Sequence, residues 1–400
     1  MWEQIRANRI KSIFLVAAMA LVLLGIGYFL GLAFLGSPTG GIVVALFIWA
    51  IMSLVAYFKG DDIFLALSKA KKIERDDHPR LYNVVEEMKI ASGLEAMPDI
   101  YIIDDHALNA FATGRDPKKA AVAVTSGLLQ KLNRDELQGV IGHELAHIKN
   151  RDVLLMTMCG ILLGTIVMIS WYVTHMVFWG GMSGRRSSGG GGGQAQIIFL
   201  IVALVLMILA PILARLIYFA ISRKREYLAD ASSAQYTRYP EGLASALEKI
   251  GGSTAQLRSA NQALAPMYIN NPFRKKGRAA SDLSSTHPPI SERIRILRGM
   301  GGASLADYNA AYSSIHQGGE GALPSSAVAA AAPVSLREAS SEGTAGEPGK
   351  LERTRELDDL MWRKNNYKTI QCDCGTKLKI PPRIKKPSVK CPHCGRIHRV

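Results

Sequence analysis

The stretch "VIGHELAHIKNRDVLL", residues 140–155, sets two histidines four positions apart, with a glutamate beside the first, and runs into an apolar segment. On a helix, His143 and His147 stand at i and i+4, so both imidazoles leave one face, as two ligands of a tetrahedral Zn²⁺ would. Glu144 is then placed to take a proton from a metal-bound water. Upstream, Asn133 and Glu136 have the spacing of a capping box, and Asp135 suits the positive end of the helix dipole. The helix is therefore expected to start at Asn133.

A catalytic zinc needs a third protein ligand and keeps a fourth position for water. The surrounding chain suggests where that ligand comes from. From Ser12 to Phe58 there is no Asp, Glu, Lys or Arg. A helix needs about 20 apolar residues to cross a bilayer, so this region predicts two spans, 13–35 and 42–58, joined by "GSPTGG". Residues 153–214 carry only Arg185 and Arg186, in a "SGRRSSGGGGG" loop, and predict two more. The first run exceeds the h-region of a signal peptide and is followed at once by another, which favours spanning over cleavage. His147 lies six residues before the third span and Glu226 about five beyond the fourth. At 1.5 Å per residue, both sit roughly 7 to 9 Å from one membrane surface. A transmembrane hairpin would set them side by side, so Glu226 is the expected third ligand, with His175 and His287 as rivals. Asp230, one turn after Glu226, could accept the free N–H of a ligating histidine and fix its tautomer.

Lys and Arg near span ends set orientation. Arg6, Arg9 and Lys11, then Lys59, Lys69, Lys71 and Lys72, then Arg215, Arg223, Lys224 and Arg225 all fall on one side; the Arg185 loop is the exception. Both termini and the polar region between spans two and three are therefore read as cytoplasmic. That region mixes helical period in "HPRLYNVVEEMKIASGL" with short β-rich runs, "PDIYIID", "LNAFATG" and "KAAVAVTSG". The expected class is mainly α, α+β: four transmembrane helices and a zincin-type domain holding a small sheet.

Taken together, "HELAHIKNRD", "EYLAD", "LNAFATG" and "THPPISERIRIL" resemble the signature segments of the HtpX family of membrane-integrated zinc metalloproteases, relatives of the CAAX-prenyl endoproteases. The resemblance spans about residues 1 to 300. It implies His143, His147 and Glu226 as zinc ligands, Glu144 as the catalytic residue and Asp230 as a partner behind the ligands. It also implies an endopeptidase of the bacterial inner membrane, facing the cytoplasm, that degrades misfolded or damaged membrane proteins. In "LNAFATG", Asn109, Ala110, Phe111 and Ala112 form a β-period run that reads as an ordinary strand or as an edge strand pairing with an extended substrate; the resemblance favours the latter. His287 precedes two prolines, and the resemblance places it near the active site, where it could stabilise an oxyanion. Two other readings are a non-enzymatic adaptor built on an old catalytic scaffold and a protease confined to prenylated CAAX peptides. The intact ligand and base residues weigh against the first, and four spans in place of a large helical chamber against the second.

The division expected along the chain is 1–58 for the first two spans, 59–152 for the first part of the protease domain, 153–221 for spans three and four, 222–303 for the second part, 304–350 for a flexible linker poor in large apolar residues, and 351–400 for a short helix with a metal module. Cys159 lies in a span and reads as a small buried hydrophobe. The other four cysteines crowd into the last 29 residues. Cys372 and Cys374 are separated by sixteen residues from Cys391 and Cys394, close to the spacing of a Cys₄ zinc ribbon, although C-x-C is tighter than C-x-x-C. Four thiolates close the coordination shell, so this second zinc is expected to be structural. From Met361 onward eleven Lys or Arg face one Asp. Membrane lipid and membrane-protein substrates rank as partners above nucleic acid, because no aromatic stacking platform accompanies the charge. The sequence leaves the oligomeric state open.

Overall fold

The computed structural model describes residues 2–158, the single positions 161, 168, 175 and 201, and residues 223–258, 265–270, 287–317, 321–340, 348–384 and 388–399. Two long helices open the chain, α1 (Trp2–Leu30) and α2 (Pro38–Leu67), joined by a π-helical turn, Gly31–Leu35. Ser37 caps α2, its hydroxyl accepting from the N–H of Gly40, and Pro38 occupies the first turn, where its missing N–H is no loss. The windows Ser12–Phe29 and Pro38–Leu67 each have a mean hydropathy of 2.4. Only 24% and 17% of them is buried, and Phe14, Leu21 and Phe47 stand largely exposed, a surface suited to lipid and costly in water. The helices touch through glycine: a Cβ on Gly41 would fall 2.0 Å from the carbonyl oxygen of Gly27, so any side chain there would force them apart. The expected third and fourth spans, their glycine-rich loop and Cys159 lie almost wholly outside the described residues. Among the described residues two helices, not four, are long and apolar enough to cross a membrane.

The sheet follows. β1 (Lys71–Ile73), β2 (Asp99–Ile103), β3 (Ala110–Asp116) and β4 (Lys119–Thr125) assemble in the order β1-β2-β4-β3, with β2 and β4 parallel and the other pairs antiparallel. Alternate residues of β2 and β4, among them Ile100, Ile102, Val122 and Val124, join the core under α3 (Pro79–Ser92), which stops at Gly93 in the left-handed region (φ 69). After the short α4 (Ser126–Lys131) comes α5 (Arg134–Lys149), which carries both histidines and is buried from Asp135 to Ile148.

The capping box is present: Asn133 accepts from the N–H of Glu136, and Glu136 accepts from the N–H of Asn133 at 2.8 Å. Ser245 and Lys249 also bond the Glu136 carboxylate, tying the cap to α7 (Pro240–Gly252). Between these lies α6 (Arg223–Thr237). A Cβ on Gly139 would stand 2.6 Å from the N of Leu243, so glycine lets α7 lie against α5; Ser233 of α6 donates to the Gly139 carbonyl at 2.6 Å. α8 (Ile290–Arg298) completes this layer.

The region 304–350 departs from the linker expected of its composition. α9 (Leu305–Ile315) begins with a Ser304–Asp307 capping box and buries Tyr308 and Ala311, and a short α10 (Ser325–Ala329) follows. Beyond it, Arg337 donates to Asp135 at 2.7 Å, to Gln138 at 3.0 Å and to the Thr237 carbonyl at 2.9 Å, and the Ser340 N–H donates to Asp135 at 2.9 Å. Small residues supply little apolar area, but one arginine and a few backbone hydrogen bonds hold this strap against the N-terminal turn of α5.

α11 (Lys350–Lys364) places Leu357, Leu360 and Met361 in the main core, and Lys364 pairs with Asp77 at 2.6 Å. The C-terminal module is two hairpins, β5 (Lys368–Gln371) with β6 (Lys377–Ile380) and β7 (Ser388–Lys390) with β8 (Ile397–Arg399).

Candidate metal centre

α5 and α6 face each other so that His143, His147 and Glu226 converge. All three are buried, at 1%, 4% and 1% exposure, and their ligand atoms lie within 4.8 Å of one another. His143 Nε2 is 3.2 Å from His147 Nε2; Glu226 Oε2 is 3.7 Å from the first and Oε1 3.6 Å from the second. Atoms bound about 2.0 to 2.1 Å from a tetrahedral ion sit about 3.3 Å apart, so the triangle already has the right size.

What stands behind the imidazoles decides which atoms are offered. His143 Nδ1 lies 2.9 Å from Asp230 Oδ1, and His147 Nδ1 lies 3.0 Å from Asp152 Oδ2. Each ring gives its Nδ1–H to a carboxylate, so both Nε2 atoms present lone pairs to each other, and a shared cation satisfies both. Burial opposes charge on His143, but bonds to Asp230 and Glu226 outweigh it and push its pKa up to about 9. The Asp230 carboxyl is held below its usual range: burial alone would raise it, but the Arg293 guanidinium and His143 prevail. Arg293, 0% exposed, grips both Asp230 oxygens, Nε at 2.8 Å and Nη2 at 2.6 Å.

Glu226 is drawn well below the usual carboxylate range; burial opposes this, but His287 and His143 overcome it. His287 Nδ1 is 2.9 Å from Glu226 Oε2, so the sequence-expected oxyanion residue bonds the carboxylate of the expected ligand. Glu144 is buried, and burial raises its pKa while His143 and His147 pull the other way, a balance suited to a group that accepts and returns a proton. The rival His175 is exposed and outside the cluster.

β3 is an edge strand of the sheet, but the segment 265–270 covers one end of it. The Ile269 N–H donates to the Ala110 carbonyl at 3.0 Å, the Asn109 amide donates to the Asn270 carbonyl at 2.9 Å, and the Phe111 ring is buried edge-on against Tyr268. Because Asn109 bonds Thr125 of β4, alternation turns the backbone of Ala110 and Ala112 outward; Ala112 is the next edge position past the covered one.

Two residues of the centre went unread in the sequence. Asp152 follows the helix by a left-handed turn at Arg151 (φ 56), outside any i+4 rule; Arg293 reads as one of several surface arginines in "SERIRILR". The "NRD" after the second histidine is the one local signal that an acid follows at a fixed distance.

A second cluster joins Cys372, Cys374, Cys391 and Cys394, all Sγ atoms within 4.8 Å, with Cys372 3.4 Å from Cys394 and Cys374 3.8 Å from Cys391. Each cysteine pair sits at the turn of one hairpin, followed by a glycine in the left-handed region, Gly375 (φ 85) and Gly395 (φ 75).

Comparison with known proteins gives the family. The profile described as peptidase family M48 matches residues 75–301. A "Protease HtpX homolog" of Streptococcus uberis is 42% identical over 300 residues, 75% of this chain and 100% of that protein. The one from Dictyoglomus turgidum is 45% identical over 300 residues, 75% of this chain and 95% of that protein. The crystal structure of S. mikatae Ste24p aligns with a TM-score of 0.41 at 19% identity, over 74% of this chain and 67% of that one, a likeness too remote to bear on function. A family profile over more than half of the chain, with relatives covered over nearly their whole length, shows that the chain belongs to the zinc metalloproteases of peptidase family M48.

Proposed function

We propose that this membrane zinc metalloprotease cuts misfolded or damaged membrane proteins at the cytoplasmic face of a bacterial inner membrane, with Glu144 as the proton-transferring residue and His143, His147 and Glu226 holding the metal. The observation that carries the assignment of the metal site is the pair of Nε2 atoms 3.2 Å apart, each on a ring whose Nδ1 is engaged by a buried carboxylate, with a third carboxylate alongside. Zinc bound there supplies Lewis acidity, for a substrate carbonyl and for the acidity of a water.

The remaining steps belong to the protein. Glu144 takes the proton of the attacking water, holds it in surroundings that favour the neutral acid, and returns it to the nitrogen of the leaving amine as the C–N bond breaks. Asp230, Asp152 and His287 keep the ligating groups in one orientation. A stabilising role for His287 on the oxyanion would use its other ring nitrogen. An extended substrate adds its backbone to β3 at Ala112, past the position held by Ile269. The four thiolates of the C-terminal cluster fill a tetrahedral shell, so a second zinc there is structural. Lys59 near the end of α2, and Lys69, Lys71 and Lys72 after it, support a cytoplasmic catalytic domain.

The test uses the full chain in detergent micelles. Casein cleavage stops on chelation, and Glu144→Gln lowers it by about 10²- to 10⁴-fold with zinc content unchanged. Wild-type turnover in a zinc-loaded Glu144→Gln protein removes that residue from the chemistry.

A further inference from the structure

Where α1 and α2 meet the soluble domain there is a cavity of about 820 Å³, and none of the metal-centre residues lines it. Part of its wall is apolar, from Val16 of α1 and from Leu154 and Met158 beyond α5. Its rim is cationic: Arg115 and Lys118 come from the β3–β4 hairpin, Lys149 and Arg151 from the end of α5. Glu95 and Asp116 are the acidic members, so four positive groups against two negative leave +2. Glu95 pairs with Lys118 at 3.3 Å and Asp116 with Arg115 at 3.9 Å; the first pair is exposed, and such pairs exchange readily for a better anion.

The height of the cavity on the helices points to its occupant. Ser12 opens the apolar window of α1, and Lys59 is the first charged residue after Lys11, so Val16 and Tyr57 lie just inside the apolar boundary. The Arg115 guanidinium sits 5.2 Å from the Phe58 ring centre and 5.8 Å from that of Tyr57, a cation resting on aromatic rings at the end of a span, as at a membrane interface. A pocket with an apolar wall on the bilayer side and a cationic rim on the domain side matches an amphiphile with an anionic head. Its volume is within the range of small-molecule sites, about 300 to 1,000 Å³.

We propose that this cavity binds an anionic glycerophospholipid, the phosphate among Arg115, Lys118 and Arg151 and an acyl chain against Val16, Leu154 and Met158. Bound there, the lipid ties the β3–β4 hairpin and the end of the histidine helix to the membrane surface. The proposal rests on α1 and α2 lying in a bilayer and is independent of the peptidase chemistry.

The test takes the full chain, delipidated in neutral detergent, and measures lipid binding by native mass spectrometry and by shift of the melting temperature. Phosphatidylglycerol should bind at least about tenfold tighter than phosphatidylcholine, and glycerol 3-phosphate alone should give no shift. Arg115→Gln with Arg151→Gln should weaken phosphatidylglycerol by about thirtyfold at unchanged zinc content. The milder Lys118→Gln, at an exposed position, should weaken it by about fivefold and serves if the double variant unfolds. Lys377→Gln with Lys390→Gln, in the C-terminal module, should change nothing. Equal binding of the two lipids, wild-type affinity in the rim variants, or an equal response to free glycerol phosphate would each overturn the lipid site. So would rim variants that keep the lipid but lose cleavage of membrane-protein substrates, since the cavity would then hold substrate.

Discussion

The two candidate metal sites differ in almost every respect, beginning with three converging ligand groups in one and four in the other. In the protease domain, two nitrogens and a carboxylate meet deep in the core, with Asp230, Asp152 and His287 behind them and Glu144 next to the first histidine. In the C-terminal module, four sulfurs converge at two hairpin turns, with Cys374 and Cys394 exposed and Cys372 and Cys391 packed with Leu378 and Ile370. The Thr376 hydroxyl and N–H pull the Cys374 thiol down, while the neighbouring thiols push Cys394 up, so the four sulfurs share charge without any buried network of carboxylates. A site that performs chemistry needs an open corner and ligands that do not move, and the second requirement explains the buried carboxylates and the Arg293 clamp. A site that only holds two hairpins together needs four good ligands and little more.

The contrast predicts different consequences for similar lesions. The largest effect belongs to the ligands: metal analysis of the purified full chain should give about two zincs, falling to about one in Glu226→Ala and also in a Cys391→Ser, Cys394→Ser double variant. Only Glu226→Ala should abolish casein cleavage; loss of activity in the cysteine variant with the first zinc retained would show that the two regions are coupled.

A smaller effect separates the supports. Asp152→Asn and Asp230→Asn, which keep the shape but remove the charge behind each imidazole, should weaken zinc retention against a chelator by about 10- to 100-fold. If both retain zinc like the wild type, the carboxylates serve packing alone.

A third effect, on stability and not on zinc or activity, tests the corner where the two regions meet. His78 caps α3, its Nδ1 accepting from the Leu81 N–H at 3.1 Å, and neighbouring Asp77 pairs with Lys364 of α11. Burial, and then Arg80, lower the His78 pKa from 6.5 to about 4. The unfolded chain therefore takes up this proton first as pH falls. The contribution to stability is complete above pH ~6.5, declines between ~6.5 and ~4, and is constant below, a total on the order of 3 kcal/mol. His78→Asn keeps a cap acceptor and should flatten that part of the stability-against-pH curve, measured by denaturant unfolding in detergent. An unchanged slope in the variant would assign the acid sensitivity elsewhere.

Much of this protein is legible in one dimension because helix geometry is local. The i, i+4 histidines, the Asn133–Glu136 box, the charge-free run from Ser12 to Phe58 and the paired cysteines each depend on spacing along a few turns. Glu226 was also within reach, because apolar runs of matched length on either side of a loop constrain where their ends lie. Asp152 and Arg293 were not: a charge becomes a structural partner only when packing excludes water around it, and nothing in "NRDVLL" or "SERIRIL" states that burial. Tertiary structure also decided that the strap ending at Ser340 lies against the cap of α5 and that Ile269 takes the Ala110 end of the β3 edge. Those contacts join residues far apart in the chain through single hydrogen bonds and one guanidinium, and no local period encodes the meeting of two distant segments.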